Sequence, residues 1–434
     1  MKIAIIGYGL QGVSSYKYWR EGNSITICDQ NEIKDPPKDV ELRIGVDHLK
    51  NLNDFDLIVR SPVVHPNDII SANGEQIKDK ITTNTNEFFR VCPSKNIIGV
   101  TGTKGKGTTS TLITKMLEET GRKVHLGGNI GTPPLEMLEA GINKDDWVVL
   151  ELANFQLIDL KYSPHIAVCL MVVPEHQDWH EDMQEYINAK KQLFVHQTSQ
   201  DKVIYYSENE ISKDIAASGQ AKKIPYFKSP GALLSGNIIS IEGNEICSVN
   251  DIKLIGIHNR ENICAAITTL WQIDKNIEAI RNSIKNFEGL PNRLELLRTI
   301  DGVNFYNDSF ASAPEASAAA INSIDGNKIM IIGGFDRNLN LDNLTKAIMD
   351  NQDDIKKIIL IGQSANRTAE ELQKVGFSNF IINSSKSIDE ITNQAKSLTH
   401  ENDNVVLSPG FPSFDMFKNF EERGNKFRSA VEKL

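Results

Sequence analysis

Two lysines stand among three glycines in Thr101-Gly-Thr-Lys-Gly-Lys-Gly-Thr-Thr109. Glycines this dense let successive backbone N–H groups turn into one concavity, and a helix start behind them adds its own field, which suits phosphate. Lys106 would place a positive charge between the β- and γ-phosphates, and a neighbouring threonine would offer a hydroxyl to Mg²⁺. The expected nucleotide cradle is therefore Gly102, Thr103, Lys104, Gly105, Lys106, Gly107 and Thr108. The loop departs from G-x-x-x-x-G-K-[ST], since Val100 occupies the first glycine position and Gly107 follows the lysine. Further along, Val148-Val-Leu-Glu151 ends an apolar run in a carboxylate, and Pro174-Glu-His-Gln-Asp-Trp-His180 supplies His176 and His180. A glutamate, a histidine and a loop hydroxyl could together hold Mg²⁺ against the phosphates of ATP.

A second glycine motif, Gly7-Tyr-Gly-Leu-Gln-Gly12, follows the apolar Met1–Ile6 run and precedes Ser24-Ile-Thr-Ile-Cys-Asp29. On pattern alone this is a dinucleotide-binding βαβ unit, and a nicotinamide-dependent oxidoreductase is the rival reading. The glycines report only that a pyrophosphate meets a helix start, and a nucleotide sugar diphosphate meets that requirement equally. With a separate triphosphate loop near residue 100, the first region is read as holding a UDP-like substrate and the second as holding ATP. An oxidoreductase would leave residues 101–190 without a purpose.

The elements that must position these groups alternate between strand and helix, the sign of parallel sheets flanked by helices. Asn96–Val100 reads as a buried strand, and Ser110–Glu119 as a helix with Leu112, Ile113, Met116 and Leu117 on one face. Trp147–Glu151 and His165–Val173 are further strands. Tyr186, Lys190 and Phe194 recur at helical spacing, so Lys190 points inward and Lys191 outward. Asp56–Arg60 is expected to close the first strand set, Cys92–Lys95 to be a linker, and residues 207–250 to form a small antiparallel excursion. Strands at Lys328–Ile332, Lys357–Ile361 and Asn404–Leu407 mark a third region. The expected domains are 1–92, 93–294 and 295–434, all α/β.

The 434 residues include 40% hydrophobic and 24% charged side chains with a net charge of −10, which fits a soluble protein and argues against nucleic-acid or membrane-surface partners. No apolar run approaches the roughly 18 residues that span a bilayer. The chain opens directly on a strand, so no signal peptide is expected. Five scattered cysteines without metal spacing read as reduced thiols, and a cytoplasmic location follows.

Taken in order, several segments resemble the Mur ligases along nearly the whole chain. They are GYGLQG (7–12), TGTKGKGTT (101–109), GGNIGTP (127–133), ELANFQL (151–157), EHQDWH (175–180), YINAKKQLF (186–194), HNRENICAA (258–266), GLPNRLE (289–295), NDSFASAPEA (307–316) and LSPGFPSFDMFKNFEERGN (407–425). The last resembles the D-glutamate-adding branch. The resemblance implies a UDP-binding Rossmann-like domain, a central ATPase domain and a C-terminal Rossmann-like domain. It implies a monomer that uses ATP, Mg²⁺, UDP-N-acetylmuramoyl-L-alanine and D-glutamate in peptidoglycan precursor synthesis, by way of an acyl phosphate.

It also implies roles. Lys106 is the phosphate-loop lysine, Glu151 and His176 are metal ligands, and Lys190 carries a carbamate. Asn129 lies near the reacting carboxylate. Asn262, Arg293 and Asp308 contact the nucleotide, and Leu10, Gln11 and Asp29 contact uridine diphosphate. Arg337, Ser413 and Phe420 hold the glutamate. Gly107 has no hydroxyl, so Thr108 becomes the metal ligand, as in folylpolyglutamate synthases. Phe310 replaces a lysine, which leaves open a related ligase that adds a different amino acid.

Overall fold

The computed structural model describes residues 1–434, and the chain divides into two compact units. The first comprises Met1–Ile252 and His258–Asn286; the second comprises Lys253–Ile257 and Phe287–Leu434.

The first unit carries a five-stranded parallel sheet made of β1 (Lys2–Ile6), β2 (Ser24–Asp29), β3 (Glu41–Ile44), β4 (Leu57–Arg60) and β5 (Ile81–Thr83), in the order β3-β2-β1-β4-β5. β1 is apolar on both faces because both are covered, as a central parallel strand requires. Arg60 does not end this sheet, contrary to the sequence reading. β5 follows at its edge, three residues long and too short to show a period.

A six-stranded parallel sheet follows: β6 (Ile97–Thr101), β7 (Val124–Gly128), β8 (Trp147–Glu151), β9 (Ile166–Cys169), β10 (Lys202–Tyr206) and β11 (Lys222–Tyr226). Its order, β11-β10-β9-β6-β8-β7, puts β6 between β9 and β8. The register pairs Val100 with Glu151 and Thr101 with Cys169, so the carboxyl ends of three strands meet where the glycine loop begins. The antiparallel excursion is confined to β12 (Leu233–Ser235), β13 (Ile238–Ile241) and β14 (Asn244–Ser248). The earlier part of 207–250 instead forms the helix Glu210–Ala216 and β11, which extends the central sheet.

Arg60, buried at the end of β4, joins the two sheets. Its guanidinium grips Asp159 in a two-pronged pair at 3.0 and 2.6 Å, and donates to the carbonyls of Ser61, Pro62, Val64 and Phe155.

The second unit is a sheet of β15 (Glu295–Ile300), β16 (Val303–Asn307), β17 (Lys328–Gly333), β18 (Ile355–Ile361), β19 (Phe380–Ile382) and β20 (Asn404–Leu407), ordered β15-β16-β20-β17-β18-β19, with β15 antiparallel at the edge. Alternate residues of β17 serve two cores. Met330 and Ile332 pack with Leu344, Ile348 and Leu372 on one face, and Ile329 and Ile331 with Ile391 and Phe427 on the other. β20 returns between β16 and β17, so the loops after β17 and β20 meet at the point where the winding reverses. Arg423 is buried there and donates to Ser309 Oγ, Ser309 O and Phe411 O at 3.0, 2.9 and 3.0 Å. Burial pushes its pKa down to about 10. No helix is long and apolar enough to cross a membrane.

Candidate functional site

β6 runs out at Thr101, and the next helix, Lys106–Glu119, starts four residues before the expected Ser110 because the second half of the glycine loop is its first turn. Leu112, Ile113, Met116 and Leu117 are all buried, as their spacing predicts. Gly105 precedes the helix at φ 87°, and a β-carbon there would stand 2.1 Å from Asn262 Oδ1. Only glycine lets Asn262 approach the loop this closely. Lys106 Nζ curls back to donate to the Gly102 and Thr103 carbonyls at 3.1 and 2.9 Å. Lys104 turns outward and pairs with Glu175. Thr103 is pinned from inside, its hydroxyl 2.9 Å from the Tyr186 hydroxyl and 3.0 Å from the Val173 carbonyl. Thr108 is half-buried beside buried Gly107.

Glu151 ends β8 as expected, and it is buried. Its Oε1 accepts from Asn129 Nδ2 at 3.0 Å, while its Oε2 is buried with no hydrogen-bond partner. A buried carboxylate oxygen without a donor is costly, and a hard divalent cation is one group with the chemistry to satisfy it. Asn129 reaches Glu151 because its own N–H donates to the Glu151 carbonyl at 2.8 Å, and Gly128 lets the two segments touch.

Lys190 lies in the helix Met183–Val195 with Tyr186 and Phe194, all three buried, whereas Lys191 faces outward to Asp214 at 2.8 Å. Lys190 Nζ donates to the Gly102 carbonyl at 3.0 Å and lies 4.5 Å from the centre of the Tyr186 ring. The structure thus brings Lys106 and Lys190 onto one carbonyl oxygen. Burial first, then the charge of Lys106, pushes the Lys190 pKa down to about 7. His176 adopts φ 56°, is half exposed and packs its ring on Phe155 at 4.7 Å. Desolvation holds its pKa below the ordinary value against the pull of Glu175.

At the first sheet, Asp29 shapes the glycine turn. Its two oxygens accept the Tyr8 and Asn31 N–H groups at 2.8 and 2.9 Å. Leu10 is exposed, and Gln11 Oε1 is buried without a partner.

In the second unit, Asp308 accepts from the Leu294 N–H at 3.0 Å and the Ser408 hydroxyl at 2.7 Å, so both of its oxygens already serve its own chain. Burial pushes its pKa up to about 7, and those two bonds oppose the rise. The Arg293 guanidinium lies 3.6 Å from the centre of the Phe310 ring, which meets Phe420 edge-on at 5.0 Å. Ser413 is buried. Arg337 lies 5.9 Å from the centre of the Phe414 ring, on a turn anchored by a two-pronged Asp336–Arg367 pair at 2.7 Å.

Residues 100–270 match the Mur ligase middle domain. The UDP-N-acetylmuramoylalanine–D-glutamate ligase of Clostridium tetani is 36% identical, over 100% of this chain and 97% of the relative. The enzyme of that name from Clostridium kluyveri is 37% identical over the same shares. The chain belongs to the Mur ligase family. Among solved structures, the UDP-N-acetylmuramate–alanine ligase of Thermotoga maritima shares the fold at a TM-score of 0.62 and 15% identity, covering 100% of this chain and 99% of that one. The MurF ligase of the same organism, solved in complex with ADP, does so at 0.58 and 14%, covering 99% and 95%.

Sequence reasoning missed several contacts that support these groups: the Tyr186 hydroxyl under the loop threonine, the Arg60 pair with Asp159 between the sheets, and Glu185 with His65 behind the His176 turn. A local signal existed for Glu185. Asp182-Met-Gln-Glu185 is a capping pattern that marks a helix start. None existed for His65, which lies 120 residues away.

Proposed function

We propose that the chain is the ATP-dependent ligase that joins D-glutamate to UDP-N-acetylmuramoyl-L-alanine, a cytoplasmic step of peptidoglycan precursor synthesis carried out by a monomer. The observation that carries the chemistry is the meeting of Lys106 and Lys190 on Gly102, beside the strand that ends in the bare Oε2 of Glu151. The relatives that match along the whole chain support the choice of amino acid. A division into domains 1–92, 93–294 and 295–434 goes with this reading.

In the reaction, an oxygen of the muramoyl-alanine carboxylate attacks the γ-phosphorus of ATP, the bond to the β-phosphate oxygen breaks, and ADP leaves. The amine of D-glutamate then attacks the acyl carbon, loses a proton, and phosphate departs. Mg²⁺, when bound, would neutralise the crowded phosphate oxygens, and Thr108, Glu151, His176 and a carbamate on Lys190 would hold it. Lys106 exchanges its two loop carbonyls for phosphate oxygens, and the N–H groups of the Gly102–Thr108 turn orient them. Asn129 steadies Glu151 and faces the acceptor carboxylate. Asn262, Arg293 and Asp308 hold the nucleotide. Leu10, Gln11 and Asp29 hold uridine diphosphate, with Gln11 Oε1 available to a ligand N–H. Arg337, Ser413 and Phe420 receive D-glutamate.

Phosphate release is expected to require Mg²⁺, UDP-N-acetylmuramoyl-L-alanine and D-glutamate together when a panel of amino acids is assayed. Saturable NADH binding with no ATP turnover would overturn the reading. Release with a different amino acid would move the chain to a related ligase.

Arg337→Ala is expected to raise KM for D-glutamate by roughly 10–100-fold and to leave KM for ATP unchanged, the loss of one charge-assisted contact. Equal rises in both constants would make Arg337 a structural partner of its turn.

A further inference from the structure

Behind the His176 turn lies a cluster whose wiring follows atom by atom. Glu185 Oε2 accepts the Glu181 N–H at 3.0 Å and faces His180 Nδ1 at 3.0 Å and His65 Nε2 at 3.4 Å. His65 Nδ1 accepts the Asn67 N–H at 3.1 Å, so the ring proton sits on Nε2, toward Glu185. Asn154 Nδ2 stands 2.8 Å from His180 Nε2. An amide nitrogen only donates, so His180 carries its proton on Nδ1, again toward Glu185. Three donors converge on one carboxylate oxygen. One nitrogen of each ring and a carboxylate oxygen lie within 4.8 Å of one another, yet each imidazole turns its lone pair away. The cluster is a closed hydrogen-bond set and not a metal site.

What it holds is the His176 turn. The N–H groups of Trp179 and His180 both donate to the His176 carbonyl, at 3.1 and 3.0 Å. His176 sits at φ 56°, a region a side-chain-bearing residue enters only when its surroundings over-determine it. Those surroundings come from both sheets. Phe155 packs on His176 at 4.7 Å and on Trp179 at 4.8 Å, while the Trp179 indole N–H donates to the Val63 carbonyl at 2.9 Å.

We propose that Glu185 is a positioning residue for the metal site: it fixes His180, and through the turn from His176 to His180 it sets the direction of the His176 imidazole. This rests on the reading of His176 as a Mg²⁺ ligand. Glu185 also caps the lead-in to its own helix by accepting the Glu181 N–H one residue before the N-cap Asp182, and Glu185→Gln separates the two roles. The amide oxygen keeps that cap, but the variant loses the charge that draws both imidazole protons.

Steady-state assays of Glu185→Gln should show the apparent KM for Mg²⁺ raised about 10-fold, the size expected when the partner of a metal ligand is changed. KM for D-glutamate and Tm should stay at wild-type values. A fall in Tm with no selective change in Mg²⁺ dependence would make Glu185 a cap only and overturn the proposal. His176→Ala serves as the reference. If it shifts Mg²⁺ dependence and Glu185→Gln does not, the positioning role alone fails. If His176→Ala leaves that dependence unchanged, the metal reading fails with it.

Discussion

Lys190→Ala is expected to lower kcat by roughly 10²–10³-fold, the scale of removing a group that stabilises charge developing at the reacting centre. The side chain is fully buried, bonded to the Gly102 carbonyl and shares that oxygen with Lys106. Burial penalises the ammonium, and the charge of Lys106 on the same carbonyl adds repulsion, so the Lys190 amine is driven to a pKa of about 7. A neutral amine is the form that captures CO₂, and the resulting carbamate replaces a repelled cation with an anion facing Lys106. Small carboxylates such as formate or acetate are expected to restore part of the activity of Lys190→Ala. Lys191→Ala, which loses an exposed pair with Asp214, is expected to keep near wild-type turnover. Wild-type turnover in Lys190→Ala would remove the carbamate from the mechanism.

Asp159→Ala is expected to produce the largest loss of stability, about 3 kcal/mol, because it strips the anionic partner from a buried arginine and leaves its charge uncompensated. Arg60 then retains only carbonyl acceptors from Ser61, Pro62, Val64 and Phe155. For a unit of this size the corresponding fall in Tm is about 5 °C, read by calorimetry on the first transition. A fall of a degree or less would show that the carbonyls alone compensate the guanidinium. Phe155 supplies one of those carbonyls and packs on His176, so the same variant is expected to raise the Mg²⁺ requirement as well.

What the sequence made legible was local. β6, β8 and the inward face carrying Lys190 followed from apolar runs and helical spacing, because those patterns are set by neighbours within a few residues. The phosphate-loop helix was read four residues short because glycines at its start hide the turn they build. β5 has three residues and no period of its own. The partners of buried charges were hidden for a different reason. Arg60 meets Asp159 across 99 residues and His65 meets Glu185 across 120, and no spacing rule spans such distances. Asp308 shows the remaining gap. The resemblance implies that it contacts the nucleotide, but its bonds to the Leu294 N–H and the Ser408 hydroxyl, 14 and 100 residues away, follow from no local pattern.

Gly128 touches no reacting group in this scheme, yet it governs how the protein can change over generations. It sits at φ 116°, and any added β-carbon would stand 2.2 Å from the Glu151 carbonyl oxygen. Every single-residue replacement there pushes apart the segments carrying Asn129 and Glu151 at once. Neutral drift is therefore closed at this position by backbone proximity alone, and an inhibitor seated against that backbone would meet a wall that resistance mutations have little room to move.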